Sequence, residues 1–111
     1  MKIEVQQYND VYVLQLQGEF TGDTIKSLED VASNVFASKV YGVVLDMSKV
    51  VFIDSQALEA IIDLSEKCRE ATRQVKVAGL DENCTKILEL TRLLPQFDTY
   101  AELTEAVKSF A

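Results

Sequence analysis

The sequence predicts one α/β domain covering residues 1–111, with a mixed β-sheet that opens on a hairpin, continues in parallel strands and carries about four helices. Three observations predict it. Two alternating apolar runs, around Ile3–Gln7 and Val11–Phe20, are separated only by Asn9-Asp10 turn chemistry, which makes an antiparallel hairpin. After Phe20, short apolar strands take turns with segments of helical periodicity, and strands separated by helices pair in parallel through right-handed crossovers. At 111 residues the chain is long enough to bury a core without disulfides or metal, and no repeat, low-complexity stretch or linker divides it.

The elements follow in order β-β-α-β-α-β-α-(β)-α. Ile3, Val5 and Gln7 mark the first strand, and Val11, Val13 and Leu16 lie in the second, where Gly18 suggests a bulge. Thr21-Gly22-Asp23-Thr24 reads as a turn and N-cap before a helix with Ile25, Leu28, Ala32, Val35 and Phe36 at helical spacing. Tyr41 to Met47, YGVVLDM, reads as a strand buried on both faces and ending at Asp46. Ser48 to Asp54 reads as a loop that closes on a second apolar piece, VVFI. Leu58, Ile61, Ser65 and Cys68 trace one face of the next helix, flanked by Ile62 and Leu64. VKVAGL, Val75 to Leu80, is the following strand, and Asp81 or Asn83 caps a helix with Ile87, Leu90 and Leu94, stopped by Pro95. Gln96 to Asp98 suggests a brief last strand, and Thr99 with Glu102 a capping box that opens the final helix with Leu103, Val107 and Phe110.

Composition narrows the chemistry. A net charge of −7 repels nucleic acid and anionic membrane, so neither is an expected partner. No secretory leader, long apolar run or basic tail is visible, so no membrane insertion and a cytoplasmic location are expected. The chain has no histidine, which removes histidine-based triads and the commonest zinc or copper ligand. Cys68 and Cys84 lack metal-ligand spacing and read as reduced, buried thiols. No metal or cofactor is expected.

The stretch FIDSQALEAI, residues 52 to 61, puts an acid and a hydroxyl where an apolar run gives way to a helix. One reading is a helix cap by Asp54 or Ser55, worth about 1 kcal/mol. The other is a phosphorylation site at Ser55, because the start of a helix offers free N–H groups and the positive end of its dipole to a phosphate. Asp46 and Asp54, expected at the same rim, oppose that phosphate by like-charge repulsion.

The stretch VVLDMSKVVFIDSQALEAI resembles the signature of STAS domains, the family of anti-sigma-factor antagonists: a hydrophobic strand, Asp-hydrophobic-Ser, a hydrophobic stretch, then Asp-Ser-Ser-Gly-Leu. VYVLQLQGEF, VKVAGL and ILELTRLLPQFDTYAELTEAV resemble the family's second strand, fourth strand and closing elements, so the resemblance covers nearly the whole chain. It implies a part in bacterial partner switching. The unphosphorylated antagonist binds an anti-sigma factor that is also a serine kinase, the kinase phosphorylates a serine opening the second helix, and a separate serine phosphatase resets it. That serine corresponds to Ser55, with Gln56 and Ala57 standing where the family often has Ser-Gly. Thr21 stands where the family often has a partner-contacting Asp, a role Asp23 is placed to take. The implied partner surface is Thr21, Gly22, Asp23, Thr24, Ser55, Gln56 and Glu59.

Three other readings compete with this one. A receiver domain with Asp46 as acceptor lacks the acidic pair that magnesium requires at another strand end. An enzyme using Asp46, Asp54 and Glu59 as acid/base groups has no Gly-rich phosphate loop and no metal constellation beside it. A STAS docking or scaffold subunit that is never phosphorylated, for example in a transport assembly, keeps the same helix face with Ser55 as a cap.

Overall fold

The computed structural model describes residues 2–8, 10–37, 42–70, 74–90 and 98–110, without the side chain of residue 36. The expectations for Asn9, Tyr41, Leu94, Pro95, Gln96 and Phe97 fall outside the described residues, as does the apolar role of Phe36. The elements run β1 (Lys2–Tyr8), β2 (Val11–Phe20), a 3-10 turn (Gly22–Thr24), α1 (Ile25–Phe36), β3 (Gly42–Ile53), α2 (Ser55–Glu70), β4 (Gln74–Ala78), α3 (Glu82–Leu90), β5 (Asp98–Tyr100) and α4 (Leu103–Lys108).

The five strands lie in chain order, β1 antiparallel to β2 and every later pair parallel. Parallel strands that always step the same way through right-handed crossovers put all their connecting helices on one face. The main core shows this. Leu28 and Ala32 of α1, Leu58 and Ile61 of α2 and Leu88 of α3 pack with Leu14, Leu16, Leu45 and Val77 of the sheet. The last helix, α4, covers the other face, where Ala106 packs with Val11, Val13, Val44 and Ala78. Lys76 is buried there. Its ammonium donates to Ser109 Oγ at 2.6 Å and lies 4.3 Å from the centre of the Phe110 ring. Solvation lost by that charge is partly replaced by a hydrogen bond and a π-face.

The structure corrects the sequence reading at both ends of the parallel sheet. Ser48 to Ile53 is not a loop. β3 continues through it, with Gln17 opposite Lys49 and Phe20 opposite Ile53. The reason lies in β2, whose ten residues offer a ladder longer than β4 can. Two register shifts, with Gly18 at φ 100°, absorb the strand curvature, as the bulge at Gly18 predicted. Asp46 therefore lies within β3 and not at its end. Near the C-terminus, Thr99 belongs to β5, opposite Val77, and α4 starts at Leu103 with Glu102 extended at its N-cap. Pairing with β4 holds Thr99 in the sheet, so the expected Thr99–Glu102 capping box does not form. VKVAGL is also shorter as a strand than predicted: β4 stops at Ala78, and Gly79 turns the chain at φ 73°, its N–H donating to Tyr100 O at 3.0 Å.

Candidate functional site at the start of the second helix

The sheet delivers Ile53 to the end of β3, and α2 begins two residues later. Asp54 bridges the two. Its N–H donates to Phe20 O at 3.2 Å, which closes the β2–β3 ladder. Its carboxylate then takes two amides. Ala57 N–H donates to Oδ1 at 2.8 Å, the geometry of a helix N-cap. Gly22 N–H donates to Oδ2 at 3.0 Å, which fastens the 3-10 turn to the start of α2. One side chain thus caps a helix and holds a neighbouring loop, and both carboxylate oxygens are used.

The turn has its own lock. Thr24 N–H donates to Thr21 O at 3.0 Å, and Thr21 N–H donates to Thr24 Oγ1 at 2.9 Å. Gly22 faces Gln56. A Cβ on Gly22 would meet the Gln56 carboxamide, the far end of a flexible side chain that would have to move aside. Gln56 thereby lies over the turn, and Ala57 beneath it is fully buried. Asp23 and Glu59 are exposed on the same rim, Asp23 in the turn and Glu59 one helical turn beyond Ser55.

Ser55 is the first residue of α2 and is exposed. Among the described residues its hydroxyl makes no hydrogen bond. The cap that the sequence left open between Asp54 and Ser55 belongs to Asp54. The first intrahelical bond is that of Leu58 N–H to Asp54 O at 3.1 Å, so the amides of Ser55 and Gln56 precede it and point out of the helix end.

Asp46 is not part of this environment. Leu45 and Met47 enter the helix-covered core, and strand alternation sends the residue between them through the opposite face. There Asp46 accepts from Gln15 Nε2 at 3.3 Å and from Ser48 N–H at 3.1 Å, with 4% of its surface exposed. The expectation that Asp46 shares a rim with Ser55 fails because that rim was drawn at a strand end that does not exist.

Sequence reasoning also missed Val51 and Phe52. They are 70% and 51% exposed, with only Ile53 between them and the Asp54-Ser55 pair. A run of four apolar residues in an extended chain cannot point one way. Val50 and Ile53 both enter the core, because the register shift between Gly18 and Glu19 leaves Val51 as an extra residue on β3, and Val51 and Phe52 face solvent. Two adjacent exposed apolar side chains beside a free hydroxyl form a surface suited to contact.

Cys84 and Cys68 are buried thiols. Burial first, and the nearby Asp81 carboxylate second, push the Cys84 thiol up to about 11, so it stays protonated and unreactive near neutral pH. Among the described residues no three His, Cys, Asp or Glu side chains converge as a metal site, and no helix is long and apolar enough to cross a membrane.

This order of strands and helices, with an Asp-Ser pair at the entry to α2, is matched by one family model, that of the STAS domain, over residues 2–106. The chain belongs to the STAS domain family. Among solved structures, this STAS domain is similar to an anti-sigma factor antagonist of Mycobacterium paratuberculosis, at 26% identity over 97% of this chain and 92% of that one, with a TM-score of 0.87. The phosphorylated form of the Bacillus cell fate determinant SpoIIAA shares the fold at 14% identity, over 99% of this chain and all of that one, with a TM-score of 0.77. A sulfate transporter family protein of Wolinella succinogenes shares it at 16% identity, over 92% and 85% of the two chains, with a TM-score of 0.81.

The division of labour at the site has a direct consequence for stability. Asp54→Ala removes a cap and strands the Gly22 amide, for a loss of about 1–2 kcal/mol. Thermal denaturation followed by circular dichroism should show the midpoint falling by roughly 5–10 °C. Ser55→Ala removes a hydroxyl that bonds nothing, and its midpoint should stay within about 2 °C of the parent.

Proposed function

We propose that this STAS domain is an anti-sigma-factor antagonist in a partner-switching pathway, binding an anti-sigma factor with serine-kinase activity and released when Ser55 is phosphorylated. The unspent Ser55 hydroxyl carries the proposal. It is exposed at the first position of α2, and Asp54 already does the capping. The similarity to an anti-sigma factor antagonist at 26% identity supports the same reading.

In this reading the docking face combines Val51 and Phe52 with the 3-10 turn and the exposed start of α2. A phosphoryl group on Ser55 adds about −1.5 to −2 charge. The outward amides of Ser55 and Gln56 and the helix dipole tolerate it, so the fold survives. Asp54, Asp23 and Glu59 already make the rim negative, so the added charge spoils contact with a basic partner and leaves the core alone. A serine phosphatase restores the binding form.

A second reading keeps the docking face and omits the phosphate. It is favoured by Gln56, whose side chain covers Gly22 beside Ser55 and narrows the approach of a kinase. One measurement separates the two: intact mass with site mapping on protein from its native cells under several growth conditions. A phosphate on Ser55 that varies with condition supports the switch. Its absence under every condition sinks the switch and leaves a constitutive docking subunit.

A further inference from the structure

A groove of about 770 Å³ runs between α1 and α2, starting at Gly22 and Gln56. Its floor is apolar. Leu28 and Leu64 form the buried base, and Ile25 and Ala60 are partly open to solvent. Its rims are acidic. Glu29 and Asp30 line the α1 side, Glu59 and Asp63 the α2 side, and all four are exposed. Lys26 and Lys67 also line it, leaving acidic residues in excess by four to two.

Lys26, four residues before Asp30, and Lys67, four residues after Asp63, offset part of this charge, yet neither closes an ion pair with a rim carboxylate. The only ion pair among the described residues is Lys2 with Glu4, on β1. Glu59 and Asp63 stand four apart on one helix, an arrangement of like charges that costs helix stability. Two rims of the same sign facing each other across an apolar floor add to that cost. A cationic occupant with an apolar face would reverse both terms.

We infer that this groove receives a basic amphipathic helix of a protein partner. The shape argues for a helix. The rims are faces of two helices, Lys26, Glu29, Asp30 and Ser33 on α1 and Gln56, Glu59, Asp63 and Lys67 on α2, and a third helix can lie along the groove between them. Twelve residues of α1 extend about 18 Å, the length of three helical turns of a guest. Ala60, being small, permits the close axial approach of a packed helix. An apolar stripe would lie on Ile25 and Ala60, with flanking Lys or Arg side chains on the two rims. A free polyamine would satisfy the rims but not the floor. The inference rests on the docking reading of the α2 face and does not depend on phosphorylation of Ser55.

The test uses the unphosphorylated full chain and a synthetic 14-residue Leu/Lys amphipathic peptide, followed by amide chemical shifts. Shifts concentrated on residues 25–33 and 56–67 are expected. The paired substitution Glu59→Lys with Asp63→Lys should weaken binding at least tenfold. Asp10→Lys with Glu89→Lys makes the same change in net charge at exposed sites elsewhere and should alter binding less than threefold. Equal weakening by both pairs, or shifts spread outside the groove, would mean non-specific attraction to an acidic protein and would overturn the inference. Displacement of the peptide by stoichiometric spermidine would overturn it in favour of a small-cation site. The absence of groove shifts at millimolar peptide would also overturn it, while leaving the Ser55 switch to its own mass measurement.

Discussion

Ser55→Asp is expected to lower affinity for the partner at least about 100-fold, while Ser55→Ala binds within about threefold of the parent. The size follows from position. A hundredfold loss is about 2.7 kcal/mol, within the range for an unpaired charge forced into a desolvated contact. Val51 and Phe52 are exposed and only Ile53 separates them from the Asp54-Ser55 pair, so in the proposed docking face a partner that covers those apolar side chains also covers Ser55. The charge arrives next to Asp54, whose oxygens are already held by Gly22 and Ala57 and cannot turn away. The aspartate itself sits at a helix N-terminus, where a negative group is tolerated, so the variant should melt within a few degrees of the parent. The measurement is calorimetric titration of each variant with the protein that co-purifies with the unphosphorylated chain from native cells. Raising the salt from 0.05 to 0.5 M should recover part of the lost affinity if charge is the cause, because exposed charges are screened beyond a few ångström. Equal binding by parent, alanine and aspartate forms would remove Ser55 from the contact.

Much of this site was legible in the sequence, and the parts that were not share a cause. β2 was read to its residue limits because alternation and a following turn bound it on both sides. The Asp54-Ser55 entry to α2 was legible for the same reason: an apolar run ended and a helical period began. The extension of β3 was not. Ser48 and Lys49 have loop-like chemistry, and what makes them a strand is the length of β2, a partner 31 or more residues away in sequence. Asp46 was misplaced with it, since a residue's face depends on where its strand runs. In the sequence Val51 and Phe52 belong to an apolar piece, and composition reports how much is hydrophobic, not which way it points. Thr99 shows the converse error. Its local capping signal was sound, but three ladder positions to β4 outweighed a cap worth about 1 kcal/mol.

Phe20→Ala carries the largest expected effect on stability, about 3–5 kcal/mol out of a total of about 5–15 for a domain of this kind. Phe20 is fully buried and is the largest side chain so placed among the described residues. It ends β2, pairs with Ile53 and accepts the Asp54 N–H, so its cavity would open directly beneath the site. Thermal unfolding should fall by roughly 15–25 °C. The milder Phe20→Leu keeps the fold and exposes the coupling. Hydrogen exchange at the Gly22 and Ala57 amides, both held by Asp54, reports whether the bridge loosens. Val11→Ala is the control, because Val11 is buried against α4 on the opposite face of the sheet. At matched global stability, faster exchange at Gly22 and Ala57 in Phe20→Leu than in Val11→Ala would show that core packing under β2 sets the geometry of the docking face. Equal exchange would show that Asp54 holds that geometry through its own hydrogen bonds, and the core beneath would then tolerate repacking without loss of partner affinity.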